Sequence, residues 1–208
     1  MNFRSLRSPS KIIGLPLSWK SCARAWTAAM VLVMLCAAAL ASPGTLVANG
    51  LNQPRGAIRW NGSVWVADIA NGFCRIDSGA INLSTCFLAG NGQAELDGNL
   101  VYITDSTGAT GVWRLTMNAI NSTIDSAVQL APNGGLAGNL PQSASLGPDG
   151  KLYVSFTSTG DIKRITNPAG DPATQTVESV GKAASGGGPV NGLSFVNGDL
   201  YIADTGAI

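Results

Sequence analysis

Three aspartates occupy the same place in a recurring short phrase, and they are the first candidates for chemistry. The phrase is a turn pair followed by an apolar strand and a carboxylate, and its aspartates are Asp68, Asp105 and Asp204, while Phe156 stands there in the third copy. A ring of such carboxylates at one end of a channel would bind cations. Alternatively, each carboxylate accepts N–H groups of the turn that follows it. A scaffold needs the same residue in every copy, so the recurrence favours this structural role.

The spacing of the phrase predicts the elements that position these residues. Its copies begin at Asn61, Asp97, Asp149 and Asn197, at intervals of 36, 52 and 48 residues. Apolar and small residues alternate between the turns, 26 glycines interrupt them, and no helical period is convincing, which favours an all-β chain. Four strands per repeat at this period predict a β-propeller built from four-stranded antiparallel blades.

The expected blades cover residues 50–90, 91–138 and 139–184, with a truncated blade at 185–208. Residues 42–208 would thus form about three and a half blades, whereas propellers close with roughly four to eight. The sequence is therefore expected to be a fragment of a longer gene product. The alternative is that several chains assemble into one ring.

Residues 1–41 are predicted to be a Sec-type signal peptide that is cleaved after Ala41. An acid-free basic lead-in precedes an apolar run at 25–40, which ends in the small-x-small pattern Ala39-Leu40-Ala41. The run is shorter than the roughly twenty residues of a spanning helix. The protein is expected to be secreted or periplasmic, and an uncleaved leader would be its only contact with a membrane.

The charge of the remaining chain argues against a nucleic-acid partner. After removal of the leader, 8 basic and 12 acidic residues are left, for a net charge of −4. Nucleic-acid binding normally requires a basic patch. A protein or a glycan is therefore the expected partner.

Two cysteines, Cys74 and Cys86, remain after the leader and flank a turn at 77–80. In an exported protein they most simply form a disulfide across adjacent strands. A metal-binding pair is the alternative, but the chain has no histidine and no second cysteine pair beyond the leader.

Recurring aromatic and basic residues have a structural and a functional interpretation. The aromatic residues could line a sugar-binding surface, but we expect them to pack between sheets. Arginines recur in each third strand, and we expect them to face outward or to pair with the recurrent aspartates. The aromatic residues are Trp60, Trp65, Tyr102, Trp113, Tyr153 and Tyr201, and the arginines are Arg75, Arg114 and Arg164.

Nucleophilic catalysis has little support in the sequence. Without histidine the usual general base is missing, and no Gly-x-Ser-x-Gly elbow is found.

Residues 64–77 and 192–205 resemble NHL-type repeats. They are also similar to the wider six-bladed group of gluconolactonase, regucalcin-like and strictosidine synthase-like proteins. The likeness covers most of residues 50–208 and implies the blade fold rather than an activity.

The lactonase branch of this group binds a metal ion, and the resemblance implies two candidate ligand positions. Asn191 lies in a Pro-Val-Asn-Gly-Leu phrase that is similar to a ligand motif of the branch, with one residue inserted. Asn52 stands near the place of a ligand glutamate, and the third ligand, an aspartate, would fall beyond Ile208. Ca²⁺ or another divalent cation would be the cofactor, although one asparagine supplies too few oxygen donors and no charge.

The sequence thus predicts an exported, non-catalytic propeller that acts as a protein- or glycan-binding scaffold and needs no cofactor. The alternative is a metal-dependent lactonase or esterase-type hydrolase with part of its site beyond the C-terminus.

Overall fold

The computed structural model describes residues 48–107, 109–183 and 190–204. These residues belong to the second of two compact units, Leu46–Ile208. The predicted leader and its cleavage site lie outside the described residues. No helix in the described ranges is long and apolar enough to cross a membrane.

The described part of the chain is all-β, and its strands form four antiparallel sheets in chain order. A short 3-10 turn at Pro172–Thr174 is the only helical element described there. The first sheet contains β1 (Pro54–Trp60), β2 (Ser63–Asp68), β3 (Gly72–Asp77) and β4 (Ala80–Phe87); the second contains β5 (Ala94–Asp97), β6 (Leu100–Thr104), β7 (Val112–Asn118) and β8 (Thr123–Gln129); the third contains β9 (Pro141–Leu146), β10 (Leu152–Phe156), β11 (Asp161–Ile165) and β12 (Val177–Lys182); and the fourth contains β13 (Val190–Val196) and β14 (Asp199–Asp204).

Two-residue turns with positive φ fix the hairpin registers. Asn61 and Gly62 have φ of 47° and 78°, and Asn197 and Gly198 have φ of 53° and 89°. Both φ values are positive in type I′ turns, whose twist matches that of antiparallel strands. The asparagine–glycine pairs of the repeated phrase therefore set the strand pairing.

Consecutive sheets pack face to face and bury three apolar clusters. Trp65 and Phe73 of the first sheet pack with Ile103 and Leu115 of the second in one cluster. Corresponding clusters lie between the second and third sheets and between the third and fourth sheets. The first strand of each sheet contacts the first strand of the next, so these strands surround a common axis. Over the described residues this arrangement is a β-propeller with three four-stranded blades and a two-stranded fourth, as the sequence predicts.

Two details of the sequence prediction can be compared with the strands. Cys74 on β3 and Cys86 on the adjacent β4 form the predicted disulfide, which excludes the metal-pair alternative. The run Ala127-Val128-Gln129-Leu130 predicts the last strand of the second blade at 127–130, whereas this strand starts at Thr123. The reason is a tight turn at Ser122, which has a φ of 50°, followed by the pairing of Asn118 with Thr123.

Most of the recurring aromatic residues pack between the blades. Trp65 and Tyr102 have no exposed surface, and Trp60 is 7% exposed. Tyr153 makes an edge-to-face contact with Phe195 of the fourth blade, with ring centroids 4.9 Å apart. Tyr201 is the exception among them, because 58% of its surface is exposed.

Candidate functional site

One end of the propeller collects polar side chains from all four blades. At this end the first strand of each blade begins and the second strand ends, as the pairs Pro54–Asp68 and Val190–Asp204 show. We call it the entry end. Its residues are those of the first-strand starts and of the loops that follow the second strands.

The carboxylate of Asp68 is held by the turn that follows it. Its Oδ1 accepts the backbone N–H of Ala70 at 3.1 Å and the side-chain amide of Asn71 at 2.9 Å. Its Oδ2 accepts the backbone N–H of Asn52 at 2.5 Å. Asp68 is fully buried, so its oxygens serve the surrounding backbone.

Asp105 is held by the same kind of contact in the second blade. It accepts the backbone N–H of Thr107 at 3.0 Å and that of Thr110 at 2.7 Å, together with both threonine hydroxyls. Asp204 ends β14 opposite Val190. In the third blade Phe156 replaces the aspartate and lies fully buried in the apolar cluster. Neither Asp68 nor Asp105 presents a carboxylate to a ligand at the entry end.

A polar network that sequence reasoning missed connects the inner strands at the entry end. The guanidinium of Arg55 on β1 donates to the Gln142 side-chain oxygen of β9 at 2.6 Å. The carbonyl of Gln142 accepts the Gln93 backbone N–H at 3.1 Å and the Thr104 hydroxyl at 2.9 Å. Gln142 is only 7% exposed, whereas Arg55 is exposed. A buried amide thus holds an exposed guanidinium in place.

The same network continues into the fourth blade through Ser143. Its hydroxyl donates to the Gln93 side-chain oxygen and accepts the Leu193 backbone N–H at 2.9 Å. Because the oxygen of Gln93 is occupied, its NH₂ group remains as a donor. An open depression of about 340 Å³ lies between Gln93 and strands β13 and β14. A ligand in it would meet the amide donor of Gln93 on one side and apolar side chains of β13 and β14 on the other.

Glu95 is an acidic residue on β5, the strand that begins directly after Gln93. Its Oε1 accepts the backbone N–H of Leu146 at 3.2 Å. Burial raises the pKa of Glu95 above its ordinary value, and the hydrogen bond from Leu146 offsets only part of this effect.

The two candidate metal positions from the resemblance are exposed residues at the entry end. Asn191 lies on β13 and Asn52 precedes β1. The described residues contain no group of three cysteine, aspartate or glutamate side chains that would bind a metal ion. The nearest carboxylate to Asn52, that of Asp68, is occupied by N–H groups of its own turn. The residues described here therefore do not fit a hard divalent cation, which requires several free oxygen donors.

Two of the recurring arginines, Arg75 and Arg114, neither simply face outward nor pair with the recurrent aspartates. Arg75 donates to the carbonyl of Ser122 at 2.7 Å, and Arg114 donates to the carbonyls of Pro168 at 2.9 Å and Gly170 at 2.7 Å. Arg75 and Arg114 thus reach from the third strand of one blade to the connection between the third and fourth strands of the next. They connect neighbouring blades, and the local sequence pattern carries no sign of a partner so far away.

Arg164 occupies the same register in the third blade but stays within it. It donates to the Glu178 carboxylate at 2.6 Å and to the Tyr153 hydroxyl at 3.2 Å. The described fourth blade has no connection between a third and a fourth strand that could accept its hydrogen bonds.

Solved structures with this fold include two lyases. A catalytically inactive virginiamycin B lyase from Staphylococcus aureus, solved with quinupristin, is 17% identical at a TM-score of 0.53 over 75% of this chain and 50% of that chain. A streptogramin B lyase is 17% identical at a TM-score of 0.51 over 74% of this chain and 49% of that chain. A Bacteroides thetaiotaomicron protein of unknown function is 15% identical at a TM-score of 0.55 over 74% of this chain and 39% of that chain.

These similarities establish the β-propeller fold, and at such identities they establish the fold alone. The chain spans about half the length of the lyases that it resembles. No family model and no curated protein matches the sequence.

Proposed function

We propose that this protein is an exported, non-catalytic β-propeller that binds a carboxylate-bearing ligand, a glycan or a protein segment, at the entry end. The observation that carries the proposal is the exposed guanidinium of Arg55 held by the buried amide of Gln142. Arginine donors match the geometry of a carboxylate, and a fixed guanidinium loses less entropy when it binds one.

The surroundings of Arg55 support a binding role. The carboxylate of Asp68 is already satisfied by its own turn, so it does not compete as the partner of Arg55. The amide group of Gln93 adds a neutral donor to the same end of the propeller. A charge that is paired only to a neutral amide oxygen keeps most of its attraction for an anion.

Export is supported by the disulfide between Cys74 and Cys86, since such bonds persist in oxidising compartments. The basic and apolar leader of the sequence agrees with it. Membership of the NHL and gluconolactonase-like group is part of the same proposal and has the blade phrases as its support. The lactonase activity of that group is not carried over, because the described residues supply no metal-binding set.

The test is ligand screening followed by calorimetry with one matched pair of variants. The purified chain is screened against uronate-containing oligosaccharides and against peptides with free carboxylates. For a ligand that binds, Arg55→Ala is expected to weaken the affinity at least about tenfold, equivalent to about 1.4 kcal/mol. Arg59→Ala removes the same charge from the same strand, where the side chain makes no hydrogen bond or ion pair to the described residues, and it is expected to leave the affinity unchanged. Equal affinity of the Arg55→Ala variant and the wild type would contradict the proposal.

A further inference from the structure

Three positions of the sequence fit the acceptor pattern for N-glycosylation, an asparagine followed two residues later by serine or threonine. They are Asn61-Gly62-Ser63, Asn82-Leu83-Ser84 and Asn121-Ser122-Thr123. The fold brings all three to the interface between the first and second blades, at the β7–β8 turn. The Asn61 amide donates to the Ser122 hydroxyl of this turn at 3.3 Å. Asn82 pairs with Arg75, whose guanidinium donates to the Ser122 carbonyl.

The side-chain amides of Asn61 and Asn82 are already engaged in the folded chain. The Asn61 amide also donates to the Ala119 carbonyl at 2.6 Å. The Asn82 amide donates to the Asp77 carboxylate at 2.6 Å, and the Asn82 side-chain oxygen accepts the backbone N–H and the hydroxyl of Ser84. Transfer of a sugar to either nitrogen would first have to break these hydrogen bonds, and each broken bond lowers the rate.

Asn121 differs from both because its amide is available. The residue is exposed in the β7–β8 turn, and its backbone carbonyl accepts Arg75 at 3.3 Å. Its side chain makes no hydrogen bond to any residue that the structure describes, and neither does the hydroxyl of Thr123. Asn121 is therefore the position at which both groups of the acceptor pattern, the amide and the hydroxyl, are unengaged.

The surroundings of Asn121 suit an attached sugar. The preceding side chain, Ile120, is 92% exposed, and Leu83 on the outer strand β4 is 68% exposed. An open depression of about 350 Å³ lies between β4 and β8, and its lining includes the hydroxyl-bearing residues Ser84 and Thr123. A pyranose ring carries both apolar C–H groups and hydroxyls, so it can cover Ile120 and hydrogen-bond to the lining of the depression.

We propose that Asn121 is the N-glycan acceptor of this protein. In the transfer, Nδ2 of Asn121 forms a bond to C1 of a sugar that is activated by a diphosphate. The bond from C1 to the diphosphate oxygen breaks, and the amide nitrogen loses one proton. The inference rests on the export that is part of the proposed function, because this modification belongs to surface loops of exported proteins. Every residue that carries it lies in the first two blades, each of which has four strands.

The test uses the purified, oxidised and folded chain with a soluble N-glycosyltransferase and UDP-glucose. Peptide mass spectrometry measures the occupancy of each asparagine over time. Synthetic peptides of residues 56–66, 77–85 and 116–126 contain one acceptor position each and give the rate without the fold. After division by the peptide rates, we expect Asn121 to be glucosylated at least about tenfold faster than Asn61 or Asn82, because only the latter two lose hydrogen bonds.

Two variants separate this site from a general effect on the chain. Thr123→Val keeps nearly the same side-chain shape but lacks the hydroxyl of the acceptor pattern, so it is expected to abolish glucosylation of Asn121 while Asn121 itself is retained. Arg55→Ala is expected to leave the glucosylation of Asn121 unchanged, so failure of the entry-end proposal and failure of this one are distinguishable. Circular dichroism checks that both variants remain folded.

Three results would overturn the inference. One is a folded chain in which Asn121 stays unmodified while its peptide is glucosylated. Another is glucosylation of Asn61 or Asn82 at the corrected rate of Asn121 or above it, because hydrogen bonding of the amide would then not select the acceptor. The third is glucosylation of Asn121 that persists in Thr123→Val, because the transfer would then not use the acceptor pattern.

Discussion

Replacing Arg114 tests whether guanidinium–carbonyl contacts hold neighbouring blades together. Arg114→Ala removes the hydrogen bonds from its Nη1 to the carbonyls of Pro168 at 2.9 Å and Gly170 at 2.7 Å. A hydrogen bond of a charged donor contributes about 1.5–3 kcal/mol. Arg114 is half-buried and a single nitrogen serves both carbonyls, so the loss is expected near the lower end, at about 2 kcal/mol for the pair.

The assay is equilibrium unfolding of the oxidised chain in urea, followed by tryptophan fluorescence. The expected result is a lower midpoint with an unchanged denaturant slope, because the surface exposed on unfolding stays nearly the same. Arg114→Lys keeps the charge and one ammonium donor, so it should recover part of the lost stability. Arg59→Ala is the matched control, since its side chain is exposed and unpaired among the described residues. It is expected to change the free energy of unfolding by less than about 0.5 kcal/mol.

The reasoning is refuted if Arg114→Ala and Arg59→Ala unfold with the same free energy. The free energy gained from the hydrogen bonds of Arg114 would then be cancelled by the loss of side-chain entropy and by desolvation. Many exposed ion pairs behave in this way.

Three further predictions concern buried groups. Tyr102→Phe is expected to raise the free energy of unfolding by about 1 kcal/mol, because the buried Tyr102 hydroxyl has no hydrogen-bond partner among the described residues. Cys74 and Cys86 are 12 residues apart. Reducing their disulfide is expected to lower the free energy of unfolding by about 3 kcal/mol, because the unfolded chain gains the entropy of the opened loop. Glu95→Gln is expected to raise stability at neutral pH, because burial raises the pKa of Glu95 in the folded state. The difference should disappear as the pH falls below the ordinary pKa of about 4.5, where Glu95 is protonated in both states.

Each of these predictions has its own control in urea unfolding. Tyr153→Phe removes a hydroxyl that accepts Arg164 and donates to Asp149, so it should not stabilise; equal effects of the two phenylalanine variants would contradict the argument about Tyr102. Cys74→Ser combined with Cys86→Ser should be as unstable as the reduced chain, and insensitive to reductant. If the stability difference between Glu95→Gln and the wild type persists at pH 3, the ionisation of Glu95 is not its cause.

The hairpins could be predicted from the sequence because their signals are local. Asn61-Gly62 and Asn197-Gly198 need only their own φ preferences to form the turns. The structural role of the recurrent aspartates could be predicted for the same reason, because the acceptor Asp68 and the donor Asn71 are only three residues apart. The disulfide was predictable because two cysteines flank one short turn.

The polar network and the arginine contacts could not be predicted in the same way. Arg55 and Gln142 are 87 residues apart, and Arg114 and Gly170 are 56 residues apart. Their partners depend on how the sheets stack, and nothing in the neighbouring sequence marks Gln142 as different from any glutamine at the start of a strand. A signal does exist for the arginines, since each stands opposite an aromatic residue of the repeated phrase once the strands are paired.

This pairing also explains how blades of unequal length keep one register. The connection between β11 and β12 is longer than the turn between β7 and β8, yet both present backbone carbonyls to an arginine of the preceding blade. An insertion in this connection is therefore tolerated where the chain returns its carbonyls to that place. A different connection, between β8 and β9, adds Leu130 and Leu136 to the core between the second and third blades. The constraint on a blade is thus not its length but a small set of contacts made by its second and third strands.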